Sequence, residues 1–94
     1  MVNGMTDDIY KNAERLHGVP LISRYNHDEE LEQMRGFLND AAAVNLHGLI
    51  RGLYYDSNAS LCVIETVESV TADNPDSAFL SQAARRHISQ FELI

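Results

Sequence analysis

The sequence predicts an all-α fold: a small bundle of about four helices with one long central helix, set up to pair as a dimer. Three observations point there. An apolar series, Leu31, Met34, Leu38, Ala42, Leu46, Leu49 and Leu53, advances in steps of three and four residues and so holds one stripe of a helix. Asn74-Pro75-Asp76 has the chemistry of a helix start, with a capping Asn, Pro at the first helical position and an acid near the positive end of the dipole. Thr6-Asp7-Asp8 offers a second start of the same kind. The alternative is an α+β fold with a hairpin at 49–67.

In chain order, a first helix is expected at 6–17, with Ile9, Ala13 and Leu16 on one face, Gly18 past its end and Pro20 forbidding continuation. Val19-Pro20-Leu21-Ile22 is apolar and extended. It covers the domain's own core or packs as an arm on a partner.

Asn26-His27-Asp28-Glu29 is a capping-box pattern that opens the central helix, expected over 27–55. Phe37, Ala41, Ile50 and Tyr54 widen its stripe, and Gly36, Gly48 and Gly52 weaken it. Either Gly48 and Gly52 let another helix approach, or Gly48 ends the helix and Leu49–Tyr55 and Leu61–Val67 flank a turn at Asp56–Ser60. In the helical reading Ser60 caps a third helix over 61–70. The last helix is expected over 75–92, with Phe79, Leu80, Ala83, Ala84, His87, Ile88 and Phe91 on its inner face.

The chain has 94 residues and reads as a single domain, 1–94. Its formal net charge is -7. Residues 1–40 hold eight acids against four bases, and 41–94 hold six against three. Neither half suits a polyanion, so direct nucleic-acid binding and an anionic membrane are not expected. No apolar stretch reaches the roughly 18 residues of a membrane span. Met1–Thr6 lacks the pattern of a secretory signal. The expected location is cytoplasmic, with the single cysteine reduced.

Signals for chemistry are sparse. The histidines, 17, 27, 47 and 87, are never four apart, and there is no CxxC, GxSxG or phosphate-loop pattern. No metal or cofactor is expected, and no enzyme activity. Cys62 lies in Leu61-Cys62-Val63-Ile64, an apolar setting that raises a thiol pKa and keeps it inert. Asp7-Asp8 and Glu29-Glu30-Glu32 stand at helix starts, where acids serve the dipole. His87 reads as a hydrogen-bonded core or interface histidine.

What remains is surface for another protein. Arg51, Tyr54 and Tyr55 belong to residue types that dominate interface hot spots. Val19, Leu21, Ile22, Phe91, Leu93 and Ile94 add apolar area at two places along the chain. The central stripe is too long for so short a chain to cover alone. The sequence therefore points to a small protein-binding module, a regulator of antiactivator or adaptor type, acting through an apolar helical surface. Its partner is another protein, a transcription factor or other regulator, and it forms a homodimer. One alternative is a small-ligand binder or enzyme with an unmarked pocket lined by Tyr54, Arg51 and His47. The other is a nucleic-acid-mimicking inhibitor, which needs Asp28, Glu29, Glu30 and Glu32 aligned on one face.

Overall fold

His17 and Gly18 both take positive φ, 54° and 81°. With Leu16 paired to Val19 across them, they are the two-residue loop of a hairpin. Two successive left-handed residues form a type I′ turn, whose twist matches that of antiparallel strands. The strands are β1 (Glu14–Leu16) and β2 (Val19–Ile22). The computed structural model of the chain describes residues 10–23, 28–67 and 74–94. The helix expected at 6–17 is thus corrected over its described part: Ala13 and Leu16 belong to a turn and a strand. The expected caps Thr6 and Asn26 lie outside the described residues. Gly18 does serve a left-handed position, in a strand turn rather than at a helix end.

The central helix is shorter than expected. It is α1 (Asp28–Ala43), with Leu31, Met34, Phe37, Leu38 and Ala41 buried. Asn45 stops it. Its φ is 66°, its N–H donates to the Ala42 carbonyl at 3.0 Å, and the Leu46 N–H donates to the Ala41 carbonyl at 2.8 Å. This pair of bonds is a Schellman motif with Asn in the usual glycine position. A short 3-10 turn, His47–Leu49, leads into β3 (Ile50–Asp56).

β3 turns back into β4 (Leu61–Thr66). Asp56 Oδ1 accepts from the Asn58 N–H at 3.0 Å and the Ala59 N–H at 3.2 Å, and Ser60 takes a φ of 57° to rejoin the ladder. The long helix over 27–55 and the third helix over 61–70 are therefore corrected. Most of 50–66 is a hairpin, at the place the α+β alternative put one. Residues 68–73 lie outside the described part.

α2 (Pro75–His87) begins as the sequence requires: the Asn74 side chain accepts from the Asp76 N–H at 2.8 Å. It ends five residues before the expected 92, because Ile88 is extended and leads into β5 (Phe91–Leu93). Phe91 is a strand residue rather than part of a helical stripe.

The five described strands form one mixed sheet in chain order, β1-β2-β3-β4-β5. The β1/β2 and β3/β4 pairs are antiparallel, and β2/β3 and β4/β5 are parallel. This is an α+β fold, not an all-α bundle. Both helices lie on one face of the sheet and share a single core with it. β2 and β3 run opposite to β4 and β5, while both crossovers advance in the same direction across the sheet. The β2-α1-β3 and β4-α2-β5 crossovers are therefore of opposite hand, although parallel crossovers are right-handed in nearly all cases.

The register aligns Leu21, Leu53, Ile64 and Leu93 in one row beneath the helices, with Tyr55, Cys62 and Phe91 in a second. Leu53, Ile64, Phe37, Leu38, Leu80 and Ala84 are wholly inaccessible. The apolar series from Leu31 to Leu53 is thus divided among α1, the turn that follows it and β3, with Leu31, Met34, Leu38 and Leu53 buried within one chain and Ala42, Leu46 and Leu49 half-buried. The reason for expecting an exposed helical surface, and a dimer to bury it, goes with it. The far face carries Ile22, Tyr54, Val63 and Glu92 in one row. Tyr10 lies against this face over Gly52, where any side chain would collide with its ring. Its hydroxyl donates to Glu65 Oε1 at 2.8 Å, and its ring meets Tyr54 at 6.3 Å between centroids.

Candidate binding cleft and sheet edge

A cleft of about 350 Å³ opens where the N-terminus of α1 meets the β3–β4 turn and the segment joining α2 to β5. Met34, Cys62 and Ile88 give it an apolar floor. Glu29, Glu30, Gln33, Tyr55, Ser60, Ser89 and Gln90 supply carboxylates, amides and hydroxyls around it. Among the described residues, no Lys, Arg or His lines it. Burial first, and the charge of Glu30 second, push the Cys62 thiol up to about 12. Cys62 is thus a buried floor residue whose thiol stays protonated at neutral pH.

β5 adjoins this cleft directly, since Gln90 is a wall residue and the next residue opens the strand. The Gln90 carbonyl accepts from the Cys62 N–H at 2.9 Å. The Ile94 N–H donates to the Ile64 carbonyl at 3.0 Å, and the Ile94 carbonyl accepts from the Thr66 N–H at 2.9 Å. Even-numbered residues of this segment therefore face β4. By the alternation of a strand, the N–H and C=O groups of Phe91 and Leu93 face outward, where no described strand lies. Ile94 is 52% exposed.

The opposite edge is built differently. β1 pairs Arg15 with Pro20, which has no N–H. Arg35 donates to Glu14 through Nε at 3.0 Å, and Arg15 Nη1 donates to the Gly18 carbonyl at 3.2 Å. The Glu14 hydrogen bond also raises the Arg35 pKa further.

The residues singled out from sequence are spread over the molecule. Val19 and Leu21 are buried in the core, and Ile22 is half-buried on the far face. Tyr54 is half-buried on that face, and its phenol pKa is raised by burial first and by Glu65, Asp56 and Glu92 after it. Arg51 is exposed and lines a separate shallow recess with Tyr10, Arg15 and Pro20. Tyr55 faces the helix side and lines the cleft. Phe91, Leu93 and Ile94 sit together at the β5 edge. His47, grouped with Arg51 and Tyr54 in the pocket alternative, stands instead beside His17, with ring centroids 5.9 Å apart. Its Nδ1 is buried without a hydrogen-bond partner among the described residues.

His87 is half-buried and hydrogen-bonded as expected: Nε2 donates to Asp40 Oδ2 at 2.8 Å. Its ring leaves no room for a side chain at Gly36, so this glycine is where α1 and α2 approach. Among the described residues there is no group of three or more His, Cys, Asp or Glu that could hold a metal ion. None of their helices is long and apolar enough to cross a membrane.

Sequence reasoning missed Gln33, Ser60, Ser89 and Gln90 as cleft residues. It read Glu29 and Glu30 as helix-start acids, or with Asp28 and Glu32 as a nucleic-acid-mimicking face. The signal present was the pairing of those acids with an apolar chain end, Phe91–Ile94, but nothing local joined the two. Comparison with protein-family models, with curated proteins and with solved structures gives no match.

Proposed function

We propose that this protein is a binding module for an extended segment of another protein, docking by strand addition at β5. The observation that carries the reading is the outward-facing backbone of Phe91 and Leu93 beside the exposed Ile94. An edge strand whose outward donors and acceptors face no described strand is a template for a further one, and main-chain hydrogen bonds supply the affinity. The half-buried Phe91 and Leu93 side chains anchor the strand to the core, so the edge is presented rigidly. Rigidity lowers the ordering cost of binding. The role is that of a regulator or adaptor, with no chemistry of its own.

The test is a titration of the isotopically labelled protein with an acetylated, amidated threonine–valine octapeptide. The amides of Phe91 and Leu93 are expected to shift, and those of Glu14–Leu16 to stay. Leu93→Pro, which removes one outward N–H at an edge position where Pro is tolerated, is expected to weaken binding at least tenfold. Saturable shifts confined to β1, or none anywhere at millimolar peptide, refute the reading.

A further inference from the structure

Resting on the strand-addition reading, we infer that the incoming segment runs antiparallel to β5 and carries a Lys or Arg directly opposite Glu92, between two apolar side chains. Glu92 is the middle residue of the edge strand, so the charge that selects the partner and the backbone that pairs with it lie on the same three residues. The backbone of Gln90 and Ile94 is bonded to β4, which turns the N–H and C=O groups of Phe91 and Leu93 outward. An antiparallel neighbour therefore makes hydrogen-bonded pairs at Phe91 and Leu93 and a non-hydrogen-bonded pair at Glu92. The Cα atoms of such a pair stand about 4.5 Å apart, closer than the roughly 5.5 Å of the hydrogen-bonded kind, and their side chains meet most closely.

The residue opposite Glu92 meets an uncompensated negative charge. Glu92 is exposed on the far face, in a row with Ile22, Tyr54 and Val63, none of them cationic. Neither β4 nor β5 contains a Lys, Arg or His, and among the described residues Glu92 has no ion-pair partner. The Tyr54 phenol, raised by burial first and by Glu65 and Asp56 next, is raised further by Glu92 from two strands away, so this charge acts along the row. The flanking positions have the opposite demand. Phe91 and Leu93 are half-buried on the helix side, and residues opposite them share that face and gain by covering what is left open. The charge of the whole chain, -7, favours the encounter with a basic segment.

The same geometry disfavours a second copy of this chain. Antiparallel pairing of β5 with itself through Phe91 and Leu93 sets Glu92 opposite Glu92, and like charges in that position are destabilising. A three-residue edge also falls well short of the roughly 1,200 Å² of total surface that a stable dimer buries.

The experiment uses alternating threonine–valine octapeptides in which each threonine in turn is replaced by lysine, glutamine or glutamate, and a second set in which each valine is replaced by lysine. Affinity is read by calorimetry and location by amide shifts on the native protein. In the best register lysine for threonine is expected to bind about threefold tighter than glutamine, and glutamate about threefold weaker. Lysine for valine is expected to gain nothing, because meeting Glu92 would turn the remaining valines away from the helix side. A nitroxide at the amino end of the peptide should broaden Ile94 more than Ser89. Glu92→Lys, a change at an exposed position, should keep the urea midpoint and reverse the order, with glutamate now the tightest. An order that survives Glu92→Lys, equal affinities within the threonine set with edge amides still shifting, an equal gain from lysine at the valine positions, or stronger broadening at Ser89 overturns the antiparallel pair with Glu92 and leaves strand addition standing. No shift at Phe91 and Leu93 with any peptide overturns both. Concentration-dependent dimerisation in sedimentation, with the same edge amides shifting, assigns the edge to a second copy and overturns the inference.

Discussion

At one edge of the sheet β1 carries Glu14 and Arg15, with Glu14 held by Arg35 and Arg15 held by the Gly18 carbonyl. At the other edge β5 carries Phe91, Glu92 and Leu93, with Ile94 exposed beyond them. Both strands are three residues long. They are fastened in different ways. β1 is fixed by its turn, by Leu16 against the core and by one ion pair at its rim, while β5 is fixed by two apolar side chains, Phe91 and Leu93, against the core. Charged side chains at an edge repel an added strand, and apolar anchoring leaves the outward backbone open. Two edges of equal length thus have unequal capacity for pairing.

Removing the anchor of β5 is expected to have the largest effect. Phe91→Ala strips a half-buried aromatic that stands in register with Cys62, at a cost of about 2 kcal/mol in urea unfolding. An equal loss from Leu16→Ala would erase the contrast between the edges.

The floor beneath β5 gives the next effect. The Cys62 thiol ionises near its ordinary 9.0 in the unfolded chain and near 12 in the folded one. Between these values the unfolded state has shed a proton that the native state keeps, so stability falls as pH rises. The slope from this group is about 1.4 kcal/mol per pH unit above pH 9. Tyr10, raised by burial first and its Glu65 hydrogen bond second, adds to the loss above pH 10. Urea midpoints at pH 9 and 10 should therefore differ, and Cys62→Ala should flatten that interval. An unchanged slope in the variant would place the source elsewhere.

The smallest effect on stability is expected at β1. Glu14→Gln breaks a rim ion pair whose partners face solvent, so the urea midpoint should hardly move. The same change should let the Glu14–Leu16 amides respond to the threonine–valine octapeptide. Silence there would mean that charge is not what closes this edge.

Which residues form the core was legible from sequence, but their periodicity was not. Leu31, Met34, Leu38 and Leu53 are all buried. The step from 49 to 53 fits a helix face, but Leu49 closes the 3-10 turn and Leu53 lies in β3 beyond a register irregularity between Ile50 and Gly52, so the spacing is not that of one element. What separates the elements is Asn45, whose left-handed conformation ends α1 inside a run of Ala, Val and Leu. Gly18 misled for a related reason, since a left-handed residue closes a helix and turns a hairpin equally well. Asn74-Pro75 could be read correctly because every element of that cap lies within three residues. The cleft could not, because its walls come from α1, the β3–β4 hairpin and the approach to β5.

The opposite hand of the two crossovers bears on ancestry. The described residues run strand, strand, helix, then strand, strand, helix again, with Leu16-His17-Gly18 echoed by Leu46-His47-Gly48. Copying one unit in tandem yields two halves that a rotation can superpose. Here the hairpins advance in the same direction across the sheet with reversed polarity under helices on a common side, so one half approximates the mirror image of the other. No rotation relates mirror images. The fold is thus not a duplicated motif, and the recurring tripeptide does not mark equivalent places in two copies.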